Sequence, residues 1–273
     1  MLAKHLGHKV FVSDFGKIKK RYKKELTTND IDFESEKHTE SKILKATQIV
    51  LSPGIPVKAP IVQKALQASI PVISEIEFGA RHTSATLIGI TGTNGKTTTT
   101  LLTHHLLQKA GFKVGLAGNV GYSFARQVID PTITHYVLEL SSFQLDLMFE
   151  TKLDYAVLLN ITPDHLDRYD NYEAYIASKF RITQNQDASC RFIYCSDSEP
   201  VSEYVSSHTF HAQCIPFSYE KEKQSMAWVE RQTMHISLNQ PKIKFTMNLN
   251  QLTIGGKHNT YNSMAASIIA NSL

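Results

Sequence analysis

The sequence predicts an α/β protein built around a mostly parallel sheet, and three observations favour this fold class. Short apolar runs alternate with segments of helix length along most of the 273 residues. The run 155–159 is continuously apolar, which is typical of a strand buried on both faces. A glycine-rich turn joins another apolar run, 86–91, to a helical segment. Strands that alternate with helices form parallel sheets with helices on both sides.

The first 80 residues hold a short version of this alternating pattern. In chain order we expect the end of a helix at 1–7, a strand at 9–13, a basic helical segment, a polar stretch around 29–40, a strand at 48–51, a turn at 52–56, a helix at 58–69 and a strand at 71–74. A nucleotide-binding α/β domain normally opens with a strand and a glycine turn before such a helix. Neither is present, so either this domain is truncated at its start or it begins differently.

The second part begins at a boundary that we place near 78–84, which gives two domains, 1–80 and 81–273. Strands are predicted at 86–91, 113–117, 134–140 and 154–160, with a helix of about 15 residues after the first of them. Helical spacing returns at 172–184, and short alternating runs within 225–254 predict a few added antiparallel strands.

Composition and charge argue against several classes of protein. A hydrophobic content of 42% and a charged content of 20% are ordinary for a globular protein. The net charge of +4 is too small to indicate a nucleic-acid partner. A basic cluster is interpreted as a solvated helix face, with a nucleic-acid or membrane patch as the alternative. It consists of Lys17, Lys19, Lys20, Arg21, Lys23 and Lys24.

The cysteines and the apolar runs bear on the compartment. Cys190, Cys195 and Cys214 form no C-x-x-C pair, which favours buried or incidental thiols in a reducing compartment over disulfides or a zinc site. No run of 18 apolar residues exists, and the N-terminus lacks the apolar core of a signal peptide. We therefore expect a cytoplasmic protein with no membrane partner.

The most informative feature is the sequence TGTNGKTT at 91–98. Its glycines let backbone N–H groups converge on one point, and the following helix N-terminus adds positive charge there. Lys96 can then reach the β- and γ-phosphates of a nucleotide, and the Thr97 hydroxyl can bind Mg²⁺. The turn is a variant, because Ile90 stands where a P-loop usually has its first glycine. A plain turn with a surface lysine is the alternative. The predicted nucleotide-binding residues are Gly92, Thr93, Asn94, Gly95, Lys96, Thr97 and Thr98.

Polar residues also follow two other predicted strands, at the edge where ligands of such sheets bind. Glu139, at the end of the strand 134–140, stands where a Mg²⁺ carboxylate is expected, although pairing with a basic side chain is the alternative. His165, in the charged segment after the strand 154–160, could bind a metal or a reacting oxygen, although a lone histidine is more often structural.

Two later segments carry weaker signals. Lys179 lies on the semi-apolar face of the helical segment 172–184, where it either snorkels or is buried. A buried amine has a lowered pKa and can take up CO₂ as a carbamate. Asn259 and Asn262 are three residues apart at a predicted helix start and could bind a purine edge, with helix capping as the alternative.

Taken together, these residues resemble the Mur ligase family of cell-wall synthesis, from about Asp14 to the C-terminus. The matching features are the motif at 91–98 with its short glycine turn, Glu139, the block DHLD at 164–167, Lys179 and the pattern G-x-H-N-x-x-N-x-x-A-A at 256–266. The segments 139–145 and 160–169 are most similar to those of the members that add D-glutamate to UDP-N-acetylmuramoyl-L-alanine.

The resemblance implies an ATP-dependent carbon–nitrogen ligase of peptidoglycan precursor synthesis, and hence a role in cell shape and division. It implies two Mg²⁺ sites, the first held by Thr97 and Glu139 and the second by His165 and a carbamate on Lys179. The implied catalytic residues are Lys96, Glu139, His165 and Lys179. The substrate carboxylate attacks the γ-phosphate to form an acyl phosphate, and the D-glutamate amine then displaces phosphate.

The same resemblance assigns the binding of substrate. Asp14 and Gly54 fall where a Rossmann-like first domain holds uridine and diphosphate. Asn259 and Asn262 match the adenine site of a P-loop type, ATP-binding central domain. The protein is expected to be a monomer with no nucleic-acid partner. The residues expected at the sugar-peptide are Asn119, Ser141, Gln144 and His165.

Departures from the family pattern keep other functions open. Family members continue beyond the position of Leu273 into a third domain that binds the incoming amino acid. We therefore expect a fragment, truncated at both ends, that binds ATP but ligates D-glutamate poorly or not at all. The alternatives are another Mur or folylpolyglutamate-type ligase, a simple P-loop NTPase or kinase, and a nucleotide-binding remnant without ligase activity.

Overall fold

A computed structural model describes residues 1–164 and 168–273 of the chain. In this part, the protein is mixed α/β, with one nine-stranded sheet and two parallel pairs of strands. The predicted fold class is confirmed. No helix of the described residues is both long and apolar enough to cross a membrane.

The region before residue 81 contains the two parallel pairs, β1 (Phe11–Asp14) with β2 (Asp32–Ser35) and β3 (Ile49–Leu51) with β4 (Val72–Ser74). The strand β2 was not predicted, because Phe33 is the only apolar residue within it. No residue of the helix α2 (Lys20–Thr28) is buried, which agrees with a solvated basic face. The elements are α1 (Leu2–His5), β1 (Phe11–Asp14), α2 (Lys20–Thr28), β2 (Asp32–Ser35), α3 (Glu40–Ile43), β3 (Ile49–Leu51), α4 (Pro60–Gln67), β4 (Val72–Ser74) and α5 (Glu75–Ala80).

The remaining residues form the large sheet and the helices that cover it. Its elements are β5 (Thr86–Thr91), α6 (Lys96–Lys109), β6 (Val114–Gly118), α7 (Phe124–Gln127), β7 (His135–Glu139), α8 (Ser142–Leu145), β8 (Tyr155–Leu158), α9 (Tyr172–Phe180), β9 (Arg191–Cys195), α10 (Glu199–Ser207), β10 (Gln213–Phe217), β11 (Ala227–Glu230), β12 (Thr233–Leu238), β13 (Ile243–Asn248) and α11 (Lys257–Ser272), with 3₁₀ turns at Arg181–Thr183 and Leu249–Gln251.

The strand order of this sheet is β13-β12-β11-β10-β9-β8-β5-β7-β6. The seven strands β5 to β11 run parallel to one another. The strands β12 and β13 are the antiparallel addition that the sequence predicted. Because β5 lies between β7 and β8, the ends of these three strands meet at one edge of the sheet. The phosphate-loop motif, Glu139 and the segment after β8 are therefore neighbours.

Both faces of the central strands are buried, as the continuous apolar runs predicted. Leu87 and Leu158 belong to one apolar core, on the α9 side, and Ile88 and Val157 belong to the other. The helices α6 and α11 pack against each other over the second core. A sheet fixed on both faces is a rigid base for the loops at its edge.

Candidate functional site

The phosphate-loop motif lies between β5 and α6, in the predicted strand, turn and helix arrangement. Gly95 precedes the first helical residue with φ of +84°, a conformation that L side chains rarely adopt. A Cβ at Gly95 would also collide with the side-chain oxygen of Asn262. The turn therefore requires glycine here, both for its backbone angle and for the space.

The loop is anchored to the segment that follows β8. The Asn160 side chain accepts a hydrogen bond from the Asn94 N–H at 2.8 Å and donates one to the Asn94 carbonyl at 3.0 Å. The Thr93 N–H donates to the Asn160 carbonyl at 2.9 Å. Asn160 was not among the predicted site residues, although a polar amide directly after a buried strand is a usable signal.

Two lysine side chains meet inside the loop. Lys96 Nζ donates to the carbonyl oxygens of Gly92 at 2.9 Å and Thr93 at 2.8 Å. Lys179 Nζ, from α9, donates to the same Gly92 oxygen at 3.1 Å. The side chain of Lys179 lies against the Tyr175 ring, with 4.8 Å between Nζ and the ring centroid. Of the two alternatives for Lys179, the structure has the buried one.

Burial changes the acid–base properties of both lysines. Desolvation, followed by the nearby Lys96 charge, lowers the pKa of Lys179 to about 7, against the opposing effect of Asp164 and Asp146. Desolvation also lowers the pKa of Lys96, while the charges of Glu139 and Asp164 oppose the shift. A substantial fraction of Lys179 is therefore a neutral, nucleophilic amine near neutral pH.

Glu139 faces the first turn of α6. Its carboxylate is 2% exposed and accepts hydrogen bonds from the Thr97 hydroxyl at 2.8 Å and from the Asn119 amide at 3.0 Å. This arrangement presents a hydroxyl and a carboxylate at one point, which suits a hard cation that takes one or two protein oxygens. Within 1–164 and 168–273, no three His, Cys, Asp or Glu side chains cluster as a larger metal site would require.

Ser141 and Gln144 form a capping box at the start of α8. Gln144 Oε1 accepts from the Ser141 N–H and hydroxyl, both at 2.9 Å, and the Ser141 hydroxyl accepts from the Gln144 N–H. The Gln144 side chain is 3% exposed, so it helps to shape the turn beyond β7.

A cavity of about 330 Å³ opens at this edge of the sheet. Of the described residues predicted for the site, five line this cavity: Gly54, Lys96, Asn119, Ser141 and Lys179. The others do not, among them Glu139, Thr97, Asp14, Gln144, Asn259 and Asn262. Asn262 instead lies on the α6 side of the loop, where its oxygen accepts from the Thr99 hydroxyl at 3.2 Å. His165 lies outside the described residues. The cavity is lined by Pro53, Gly54, Lys96, Asn119, Ser141, Ser142, Phe143, Asp164, Arg168, Tyr175 and Lys179.

Family models match most of the chain. Residues 90–270 match the Mur ligase middle domain, and residues 1–61 match the MurD N-terminal domain. The UDP-N-acetylmuramoylalanine–D-glutamate ligase of Bacteroides fragilis is 48% identical over 272 residues, which cover 99% of this chain and 61% of that protein. The protein of the same name from Porphyromonas gingivalis is 47% identical over 277 residues and is also covered to 61%. The chain thus spans about three fifths of the length of these relatives.

Solved structures share the fold at lower sequence identity. The UDP-N-acetylmuramate:L-alanyl-γ-D-glutamyl-meso-diaminopimelate ligase of Neisseria meningitides superimposes with a TM-score of 0.65 at 19% identity, covering 98% of this chain and 87% of that one. The UDP-N-acetylmuramate–alanine ligase MurC of Thermotoga maritima superimposes with a TM-score of 0.56 at 18% identity, covering 99% of this chain and 60% of that one.

Proposed function

Because the chain belongs to the Mur ligase family, we propose that it is the nucleotide-binding part of a ligase that joins D-glutamate to UDP-N-acetylmuramoyl-L-alanine at the expense of ATP. The choice of substrates is supported by the 47–48% identity, along the whole chain, to relatives that carry this activity in their names. The choice of ATP is supported by the geometry of the site.

One observation carries the proposal: Lys96, Lys179 and the Thr97–Glu139 pair converge on the phosphate loop beside one cavity. A carboxylate must approach a triphosphate in the first step, and these two anions repel each other. The Lys96 ammonium and the backbone N–H groups of the loop offset this repulsion and hold the γ-phosphate in line. The carboxylate oxygen bonds to the γ-phosphorus, the bond to ADP breaks, and an acyl phosphate forms.

The second step releases phosphate. The neutral amine of D-glutamate attacks the acyl carbon, the carbon–oxygen bond to phosphate breaks, and the amine loses its proton as the amide forms. The described residues supply cationic groups that stabilise the departing phosphate.

We propose that Thr97 and Glu139 hold the first of two Mg²⁺ ions, since hydroxyl and carboxylate oxygens fit this cation. Mg²⁺ supplies charge neutralisation on the phosphate oxygens. A second ion would be held by His165 and a carbamate on Lys179. The carbamate forms when the neutral Lys179 amine bonds to the carbon of CO₂ and loses a proton. The lowered pKa of Lys179 favours this reaction because more of the amine is neutral.

The remaining assignments follow from the same family relationship. We propose that 1–80 binds the UDP portion of the substrate through Asp14 and Gly54, and that 81–273 binds ATP, with Asn259 and Asn262 at the adenine. We expect a monomer that works in the cytoplasm, where ATP and UDP-sugars are available, without nucleic acid or membrane.

Calorimetric titration with MgATP tests the nucleotide site. We expect the 273-residue chain to bind MgATP and Lys96→Ala to bind it at least tenfold more weakly, because a charge-assisted contact to phosphate is lost. Lys109→Ala, at the exposed end of the same helix, is the matched control. Equal dissociation constants for MgATP in the two variants would remove the basis of the proposal.

Ligation is measured on the complete gene product that carries this sequence. We expect phosphate release that requires both UDP-N-acetylmuramoyl-L-alanine and D-glutamate. Release without the UDP-sugar would instead identify a simple NTPase, and release with a different amino acid would identify another ligase of the family.

A further inference from the structure

Arg168 lines the same cavity as Lys96 and Lys179. Unlike these lysines, it makes no hydrogen bond to the described phosphate loop. Its guanidinium carbon lies 4.4 Å from the centroid of the Phe143 ring. Stacking on a ring fixes the guanidinium plane and leaves the N–H groups at its edge available. Within the described part of the chain, this guanidinium makes no hydrogen bond and no ion pair.

The position of Arg168 relates it to the N-terminal region. Lys58 Nζ and Asp170 Oδ1 are 3.5 Å apart, so the segment that begins at Arg168 lies beside the segment 53–58. Pro53 and Gly54 of that segment line the cavity. Arg168 and two residues of the N-terminal region therefore line the same cavity.

The charges around the cavity indicate what Arg168 would bind there. Three cationic side chains line it, against the single carboxylate of Asp164 among the described lining residues. Lys96 and Lys179 direct their hydrogen bonds to loop carbonyls, whereas Arg168 does not. A planar guanidinium with no ion pair among the described residues is suited to bidentate binding of phosphate or carboxylate.

We propose that Arg168, held by Phe143, binds an oxyanion of the nucleotide-sugar substrate and so contributes to selection of that substrate. The inference rests on the proposed function and adds to it a residue outside the ATP site. The oxyanion is either the diphosphate or the terminal carboxylate of the substrate, which share the chemistry that a guanidinium recognises.

Steady-state kinetics of the complete gene product test this role. In Arg168→Met we expect the KM for UDP-N-acetylmuramoyl-L-alanine to rise roughly tenfold, since a hydrogen bond between charged groups is lost. The KM for ATP should stay within about twofold, because the phosphate loop is untouched. The kcat should also stay within about twofold if the oxyanion is the diphosphate, and should fall if it is the terminal carboxylate, which is the attacking group. Arg168→Lys should give a smaller increase, since it keeps the charge but loses the planar fork.

Arg21→Met is the matched control. Arg21 also lies over an aromatic ring, that of Tyr22 at 4.6 Å, and does not line the cavity. A second variant, Phe143→Leu, should raise the same KM in the same direction by weakening the hold on Arg168.

Binding of UDP-N-acetylglucosamine separates the two sources of the oxyanion, because this probe has the diphosphate but no carboxylate. Weaker binding to Arg168→Met than to wild type assigns the diphosphate. Unchanged binding, together with the raised KM for the muramoyl substrate, assigns the carboxylate. If the KM of Arg168→Met equals that of Arg21→Met, the inference is wrong while the proposed function stands. If the wild-type protein does not use the UDP-sugar at all, both the role of Arg168 and the proposed function are wrong.

Discussion

The Nζ atoms of Lys96 and Lys179 donate hydrogen bonds to the same acceptor, the carbonyl oxygen of Gly92, at 2.9 and 3.1 Å. If both amines were protonated, two like charges would repel each other at this one oxygen with little solvent to screen them. Coulomb repulsion and burial together favour the neutral form of the more deeply buried amine, Lys179. The site therefore holds a group that costs folding stability in return for reactivity.

Lys179→Met is accordingly expected to abolish ligation and to stabilise the fold. The pKa of Lys179 falls from 10.5 to about 7 on folding, so the unfolded chain binds its proton more readily than the folded chain does. This penalty grows as the pH is lowered from 10.5 to 7 and is constant below that. We expect the variant to exceed wild type in free energy of unfolding by about 2 kcal/mol or more at pH 7.

Urea unfolding at pH 10, 8.5 and 7 provides the measurement. The difference between Lys179→Met and wild type should widen towards pH 7, whereas Lys109→Met, at an exposed position, should follow wild type throughout. A variant that is less stable than wild type at pH 7 would show that Lys179 is not the strained group described here.

Gly95→Ala is expected to weaken MgATP binding at least tenfold. Its φ of +84° disfavours a side chain, and the added Cβ would meet the oxygen of Asn262, which is buried against α6 and cannot move freely. Gly111→Ala separates the two effects, since Gly111 has φ of +92° but open space around it. Both variants should lose about 1–2 kcal/mol of stability from the backbone alone, and Gly95→Ala should lose more.

Thermal unfolding and calorimetric titration of the two alanine variants distinguish these contributions. Only Gly95→Ala should lose nucleotide binding, because the phosphate loop is displaced in that variant alone. Equal ATP affinities in the two variants would contradict the tight packing of the loop against α11.

Glu77→Gln is expected to destabilise the protein by about 1–3 kcal/mol, because hydrogen bonds to a buried charged group are lost. The Glu77 carboxylate is fully buried and accepts hydrogen bonds from the N–H groups of Phe149 and Thr151 at 3.0 and 3.1 Å, and from Arg81. A glutamine can offer only one acceptor oxygen to these donors. Glu203→Gln, at an exposed position of α10, is the control in the same denaturant titration, and a loss in Glu77→Gln below 1 kcal/mol would contradict the prediction.

The sequence predicted the parts of the site that depend on local order. The strand 86–91 and the helix after the glycine turn are found at the expected positions because both patterns are local. The contact between Lys179 and Gly92 joins residues 87 positions apart, and periodicity could say only that Lys179 was on a semi-apolar face.

Other features had no usable sequence signal. The elements β9, α10 and β10 were not predicted. FIYC at 192–195 is a short apolar run, but such a run alone does not distinguish strand from helix. The strand β2 holds the buried carboxylate of Glu34, which Ser13 and Thr39 satisfy with hydrogen bonds from outside the strand. A partner supplied by distant residues cannot be inferred from the polar sequence that surrounds it.

Asn119→Ala is expected to raise the Mg²⁺ concentration needed for half-maximal ATP binding by about 10–100-fold. The Asn119 amide donates to Glu139 Oε1 at 3.0 Å, which leaves Oε2 facing the Thr97 hydroxyl. Without this hydrogen bond the carboxylate can rotate, and the two oxygens proposed to hold the cation no longer point at one place. Titration of MgCl₂ at fixed ATP measures the effect, with Asn250→Ala, at an exposed position, as the control. Saturating Mg²⁺ should restore ATP binding to Asn119→Ala, because only the metal site is weakened. Equal Mg²⁺ requirements in the two variants would show that Asn119 does not orient Glu139.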